Sequence, residues 1–593
     1  MTQSEPTGAE SIRWNLTDLY AAPEALDADI EAFTTEAEAF SKRYHGRMAE
    51  LSADQWAEAL ADFGSIQDRI GRAATYSFLL WSTKTTDPAR GKLLQRVREA
   101  YTEASKKLLF LELEWIALEA STADALLASD ALQPYRHYLE VQRGMAPHVL
   151  TEPEEKILAE KSVTGKAAWA RFFDETLGAA TFQVDGESLS EQEILARMHE
   201  ADRTTRRDAA LGFTDGLNDH LRTLTFVFNT MLAEKASDDR LRHYPSWLSG
   251  RNLSNEVADE IVDTLVAAVS GRFDLSRRHY ALKRRLLGLD EMFDYDRYAP
   301  LPEADVSYDW SQAKDIVLSA YGSFHPEMAS IARRFFDESW IDAAVTPGKR
   351  GGAFSHGAVP SAHPYVLMNF TGRVRDVQTL AHELGHGVHQ YLSRDQGILH
   401  ADTPLTTAET ASVFGEMLVF KSLLEKEEDP AVRLAMLVAK IDDTMATVFR
   451  QISMHLFEAK VHNHRRTHGE LTSDEIGFHW RETQEAMFDG SVTLGEHYDV
   501  WWSYIPHFIH TPGYVYAYAF GELLVLALYE EYLSRGASFA DAYLGLLAAG
   551  GSDWPHNLVA RLGVDLTARD FWDKGLDAVE ALVEEAERLA AGR

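Results

Sequence analysis

Residues 376–389 read DVQTLAHELGHGVH, and the rest of the chain is best read outward from them. His382 and His386 stand at i and i+4, one helical turn apart on one face, so both imidazoles can approach a single ion. Glu383 sits beside them, where a carboxylate would take a proton from metal-activated water instead of ligating. Leu384 can face a core while the histidines face a cleft. Gly385 lowers helix stability by about 1 kcal/mol relative to Ala, which makes sense where a substrate or another element must come close. A catalytic zinc takes a third protein ligand and keeps one position for water. His389, Asp395, His400, Asp402 and Glu409 are the candidates that follow in the chain. His389 lies three residues past His386, and three convergent ligands from one straight helix are awkward. Glu409 opens a fresh helical pattern, ETASVFGE at 409–416, so a second helix crossing the first would deliver one carboxylate. Glu416 and Asp376 are candidates to accept from the outer nitrogen of a ligand histidine. Non-haem iron also accepts two histidines and a carboxylate, but it has no need of Glu383.

Upstream, residues 346–372 hold Pro347, Gly348, Gly351, Gly352, Gly357, Pro360, Pro364 and Gly372, too many breakers for a helix. Within them YVLMNF at 365–370 is short and apolar and reads as a strand. Pro364 and Asn369 suit an edge strand, which could pair with an extended peptide through its backbone. The loop 348–357 has the freedom to close over such a peptide. Gly351, Gly352 and Tyr365 are therefore candidate substrate contacts.

Further out, both flanks are helical. Ser52 with Gln55, Thr151 with Glu154 and Ser190 with Glu193 have the spacing of a helix-starting hydroxyl answered from the third helical position. Asp185-Gly186 between two short extended runs at 181–189 predicts a hairpin, and 295–307 is less helical than its neighbours. The expected organisation is a helical N-terminal domain over 1–190 and a catalytic domain over 191–593.

Composition narrows the chemistry. Asp plus Glu number 92 against 58 Lys plus Arg, a net charge of -34, so a nucleic-acid partner is not expected. There is no cysteine, which excludes thiol catalysis and disulfides. No segment has the length and apolarity of a membrane span. The opening MTQSEPTGAE lacks the features of a signal peptide, and the expected address is the cytoplasm. No obligate protein partner is evident.

Attack of water on an amide places charge on the carbonyl oxygen, which calls for hydrogen-bond donors besides the metal. Residues 504–520, YIPHFIHTPGYVYAYAF, gather His507, His510, Tyr514, Tyr516 and Tyr518 around a Thr-Pro-Gly turn. Tyr514 and Tyr518 share a helical face and Tyr516 points elsewhere. His510 and Tyr516 are candidate substrate contacts.

Taken together, GKRGGAF at 348–354, PYVLMNFTG at 364–372, DVQTLAHELGHGVH at 376–389, TAETAS at 407–412 and PHFIHTPGYVYAYAFG at 506–521 resemble the oligoendopeptidase F branch of the thimet oligopeptidase (M3) family of zinc metallopeptidases. The resemblance is strong over 191–593. It implies one zinc per chain held by His382, His386 and Glu409, with Glu383 as general base. His507 would donate to the transition state, assisted by Tyr514 or Tyr518. It also implies a mainly α, two-lobed body with a deep channel and a small β-sheet near the active site. The implied activity is endopeptidase cleavage of short peptides, with folded proteins excluded. A zinc exopeptidase is the alternative; Arg350 in the glycine-rich loop could hold a free carboxylate.

Overall fold

A computed structural model of the chain describes residues 6–301 and 307–592. Helix takes up 71% and strand 3% of it, which makes the class mainly α as expected. Of the less helical stretch at 295–307, residues 302–306 lie outside the described residues. Among the described residues no helix is long and apolar enough to cross a membrane. The chain forms two compact units, each assembled from three separate stretches.

The first unit comprises Met1–Ala146, Asp305–Lys426 and Glu531–Asp565. Its helix Ala53–Ser82 starts on the expected reciprocal pair, Ser52 N–H donating to Gln55 Oε1 at 2.9 Å. That helix buries Trp56, Leu60, Phe63 and Ile70 in a core shared with Trp115 and with Tyr365 and Leu367 from far along the chain. The glycine-rich stretch contributes a three-stranded sheet of β3 (Ile341–Asp342), β4 (Phe354–His356) and β5 (Tyr365–Leu367) in the order β3-β5-β4. β5 is parallel to β3 and antiparallel to β4. This corrects the edge-strand expectation for 365–370: β5 is central, and Tyr365, Val366 and Leu367 are all fully buried. A run that is apolar on both faces suits a covered centre, and Pro364 lies just outside the strand, where it removes no ladder bond. Lys349 anchors the loop to this sheet. Its buried ammonium donates to Asp342 Oδ1 (2.6 Å), Ala344 O (2.9 Å) and Met368 O (2.7 Å).

The second unit comprises Pro147–Ala304, Glu427–Glu530 and Leu566–Arg593. The expected hairpin is present as β1 (Phe182–Val184) paired antiparallel with β2 (Glu187–Leu189). Asp185 and Gly186, at φ 52° and 80°, form its left-handed turn. The unit's core packs Phe213, Phe228, Phe457, Trp480, Trp501 and Phe508.

Candidate active site

Helix α1 (Val374–Ser393) carries the two histidines. Its start is held by Asp376, whose Oδ2 accepts from Thr371 N–H (2.7 Å), Thr371 Oγ1 (2.6 Å) and Arg373 N–H (3.2 Å). Asp376 Oδ2 therefore caps α1, and the outer nitrogen of His382 is met by Glu416, not by Asp376 as expected. Helix α2 (Thr410–Lys426) crosses α1 at Gly385. A Cβ on Gly385 would fall against Ala411 O and 2.6 Å from Ser412 Cα, so only glycine permits this backbone contact.

The close crossing brings Glu409, just before α2, onto the histidine face. Glu409 Oε2 lies 3.4 Å from His382 Nε2 and 3.4 Å from His386 Nε2. One ligand atom from each of these three residues lies within 4.8 Å of the others, the only such cluster among the described residues. Two imidazole nitrogens and one carboxylate oxygen, with room for water, is a donor set that fits catalytic zinc. Burial acts to raise the Glu409 carboxyl, but the hydrogen bond and charge of His386, with His382 and Ser412, bring it down to about 2. Ser412 Oγ donates to Glu409 Oε2 at 2.7 Å and fixes its orientation. His382 Nδ1 is 3.5 Å from Glu416 Oε2, so Glu416 takes up the outer nitrogen of that ring.

Glu383 is buried beside the histidines. Burial pushes its carboxyl up, while the two histidines and a hydrogen bond from the Ser355 backbone pull it down. Ser355 belongs to β4, the edge strand packed against α1, and nothing in the sequence marked it. The remaining ligand candidates are engaged elsewhere or set apart. His389 is buried, and burial together with His386 holds it down to about 4. His400 Nε2 accepts from Tyr138 N–H at 3.1 Å. Gly351 and Gly352 are exposed, and Gly352 stands at φ 76°. Asn369 holds the loop by donating to Arg350 O and Gly352 O, each at 3.0 Å. The Arg350 guanidinium lies over the rings of Phe78 and Phe354.

In the second unit, helix α3 (Arg450–His468) lies beside a short helix α4 (His507–His510) and the first part of helix α5 (Tyr516–Arg535), whose residues up to Glu530 belong to this unit. His507 Nε2 is 3.2 Å from the Tyr518 hydroxyl. The Tyr514 ring lies parallel to His507 at 6.1 Å and edge-on to Tyr518 at 5.1 Å. Burial, then the charges of Arg450 and His510, hold His507 below the usual imidazole range. His510 is exposed and paired with Asp174 at 2.8 Å. Tyr516 is fully buried and its hydroxyl is shared with Asn252 and Asn255, each at 2.8 Å, which corrects its expected contact with substrate. Sequence reasoning also passed over Glu458, whose Oε1 accepts the Gly513 N–H at 2.9 Å and so ties down the turn between α4 and α5.

Comparison with known proteins agrees with this chemistry. A model of Peptidase family M3 matches residues 196–578, and one of Oligopeptidase F matches 114–182. Oligopeptidase PepF of Bacillus subtilis (strain 168) is 29% identical, over 97% of this chain and 87% of its own length. Group B oligopeptidase PepB of Streptococcus agalactiae serotype III (strain NEM316) is 28% identical, over 98% of each chain. A crystal structure from Chlamydophila abortus superposes with a TM-score of 0.89 at 25% identity, covering 99% of this chain and all of that one. The structure of oligoendopeptidase-F from Enterococcus faecium gives 0.72 at 23% identity, with 96% and 100% covered. A family match across most of the chain, centred on the helix that brings His382, Glu383 and His386 together, leads to one conclusion: this chain belongs to peptidase family M3 and is a metallo-endopeptidase.

Proposed function

We propose that the protein is a zinc-dependent endopeptidase that hydrolyses internal bonds of short, unstructured peptides. The observation that carries this reading is the convergence of His382 Nε2, His386 Nε2 and Glu409 Oε2 with the buried carboxyl of Glu383 alongside. Held by those three residues, zinc supplies Lewis acidity, which lowers the pKa of water and polarises a carbonyl. Glu383 accepts the proton of the attacking water and returns it to the leaving amine. The Ser355 backbone orients Glu383, and Glu416 keeps His382 in the tautomer that presents Nε2. By the resemblance to the family, His507 Nε2–H and the Tyr518 hydroxyl donate to the developing oxyanion, with Tyr514 packed against both.

The substrate is held mainly through its backbone. β4 is an edge of its sheet and lies against α1, so the outer main-chain groups that Ser355 does not give to Glu383 can pair with an extended peptide. This gives it the role that the sequence reading assigned to 365–370. Pairing by main chain tolerates many side chains and requires an unfolded segment. The glycine-rich loop at 351–352 covers the bound peptide. The names of the relatives, oligopeptidase and oligoendopeptidase, support short substrates.

The test is a peptide of about ten residues, acetylated and amidated, incubated with the parent and with Glu383→Gln. The parent should cut it internally. The variant should retain its zinc and lose about 10²- to 10⁴-fold in kcat/KM. A parent that cuts only peptides with a free terminus would establish an exopeptidase instead.

A further inference from the structure

We propose that Arg450, framed by the phenols of Tyr298 and Tyr504, is a receptor for a carboxylate of the peptide substrate. The inference rests on the peptidase reading and assigns it a specificity determinant.

The starting point is an unbalanced charge. Arg450 is half-buried at the start of α3. Its Nη1 donates to Tyr298 Oη at 3.3 Å and its Nη2 to Tyr504 Oη at 3.4 Å, both long and to neutral partners. Its Nε is buried without a partner. Five N–H groups are available on a guanidinium, and these two bonds use two of them. No carboxylate among the described residues lies within ion-pair distance, although the chain carries 92 acidic residues against 58 basic ones. The buried Arg297 is in the same position, donating to Asp294 O at 2.9 Å and to the Tyr498 hydroxyl at 3.3 Å with no carboxylate of the described residues in ion-pair range, whereas Arg206 and the half-buried Arg203 are treated differently. Arg206 pairs with the buried Asp296 at 3.0 Å, and Arg203 shares that carboxylate at 2.8 Å. A desolvated cation without an anion is costly unless a ligand completes it, and the planar fork of arginine suits a carboxylate in two-point contact.

Two further observations tie Arg450 to the working face of this unit. A π turn over Met445–Phe449 immediately precedes it. Such turns are rare overall and frequent at functional sites. Tyr504, which receives Nη2, lies three residues before His507, and the charge of Arg450 is felt at the His507 ring. An acidic group bound at Arg450 would therefore lie near the proposed oxyanion donor and fix the register of the peptide beside it.

The carboxylate could be the peptide's C-terminus or an Asp or Glu side chain. Peptides of one core sequence separate these sources: a doubly blocked neutral peptide, the same peptide with a free C-terminal acid, and a matched Glu and Gln pair on the C-terminal side of the cut. The parent should favour one carboxylate over its amide counterpart by about 10- to 100-fold in kcat/KM, the range for a charged hydrogen-bond pair. In Arg450→Gln that ratio should fall towards one. Arg450→Lys, which keeps the charge without the fork, should retain an intermediate ratio, and serves if the Gln variant folds poorly. A parent without preference for either carboxylate, or a preference that survives in Arg450→Gln, overturns the proposal. Cleavage of no peptide at all would count against the peptidase reading instead. Calorimetric binding of the same peptides to Glu383→Gln protein, with and without Arg450→Gln, would then still measure the carboxylate preference.

Discussion

The histidine pair on α1 stands four residues apart and the His507–Tyr518 pair of the second unit eleven, and the protein fixes the two by different means. On α1 the work is done by main chain. Gly385 lets α2 approach until Ser412 Cα would stand 2.6 Å from an added Cβ, and the carboxylate of Glu409 arrives with that backbone. Around His507 the work is done by polar side chains from distant parts of the chain. Glu458 holds the turn at Gly513, while Asn252 and Asn255 hold Tyr516 and with it the start of α5. Backbone packing has few soft degrees of freedom, so it suits a cluster that must keep three ligand atoms converged. A hydrogen-bonded turn can adjust by tenths of an ångström, which suits the oxyanion-donor role proposed for His507 and Tyr518.

The largest effect should come from attacking the backbone contact. Gly385→Ala favours the helix by about 1 kcal/mol, but overpacking costs typically 1–3 kcal/mol, and here the obstruction is main chain. The expected result is a lower melting temperature and a loss of zinc retention approaching that of Glu409→Ala, at least about tenfold in affinity. Gly351→Ala, at an exposed position with nothing near its Cβ, should change stability by no more than about 0.5 kcal/mol. Metal content and melting curves of the three proteins decide the matter. If Gly385→Ala keeps its zinc, the helix crossing is not what delivers Glu409.

The same contrast explains what could be read from the sequence. The i,i+4 histidines, the Asp185-Gly186 hairpin and the reciprocal pairs at Ser52, Thr151 and Ser190 are local patterns, and all of them recur in the structure. Glu409 was legible as one candidate among several because a new helical pattern begins there. Tyr365, Asp376 and Tyr516 were misjudged because their surroundings come from elsewhere. β3, at 341–342, makes β5 central. Thr371 and Arg373 engage Asp376, and two asparagines some 260 residues upstream consume Tyr516. Arg450 and Glu458 sit in an ordinary helical pattern with no motif around them. Only the placement of their neighbours gives them meaning.

A smaller effect should separate the three tyrosine and histidine roles. His507→Phe removes a proposed transition-state donor and should lower kcat by about 10²-fold with little change in KM. Tyr518→Phe leaves the His507 ring in place and should lower kcat about tenfold. Tyr516→Phe should behave differently in kind. It takes a shared hydroxyl from two buried amides and should reduce stability by about 1–3 kcal/mol while kcat moves little. Steady-state kinetics beside urea denaturation would show the division. A kcat loss in Tyr516→Phe as large as that in His507→Phe would mean that the donors are as rigidly mounted as the metal ligands.

The last effect concerns the polar mounting itself, leaves kcat aside and appears as a dependence of stability on pH. Burial pushes the Glu458 carboxyl up to about 8, against the pull of the Gly513 N–H and the charge of Arg251. In the unfolded chain the same group has the ordinary value of 4.5. Between these values the folded protein binds the extra proton, so its stability falls as pH rises through the window and levels off above about 8. Glu458→Gln keeps the carbonyl acceptor for Gly513 and cannot ionise. Relative to the parent it should gain stability with rising pH, at most roughly 1.4 kcal/mol per pH unit within the window. His455 and His462 share the buried surface of α3, but burial lowers His455 to about 4 and holds His462 well below the usual imidazole range, so both are neutral in the folded state where Glu458 titrates. Urea denaturation of both proteins from pH 5 to 9 gives the difference directly. A difference that does not change with pH would mean that Glu458 is ionised in the folded protein. Its bond to Gly513 would then be charge-assisted, and the turn beneath His507 would be held more firmly than a neutral carboxyl could hold it.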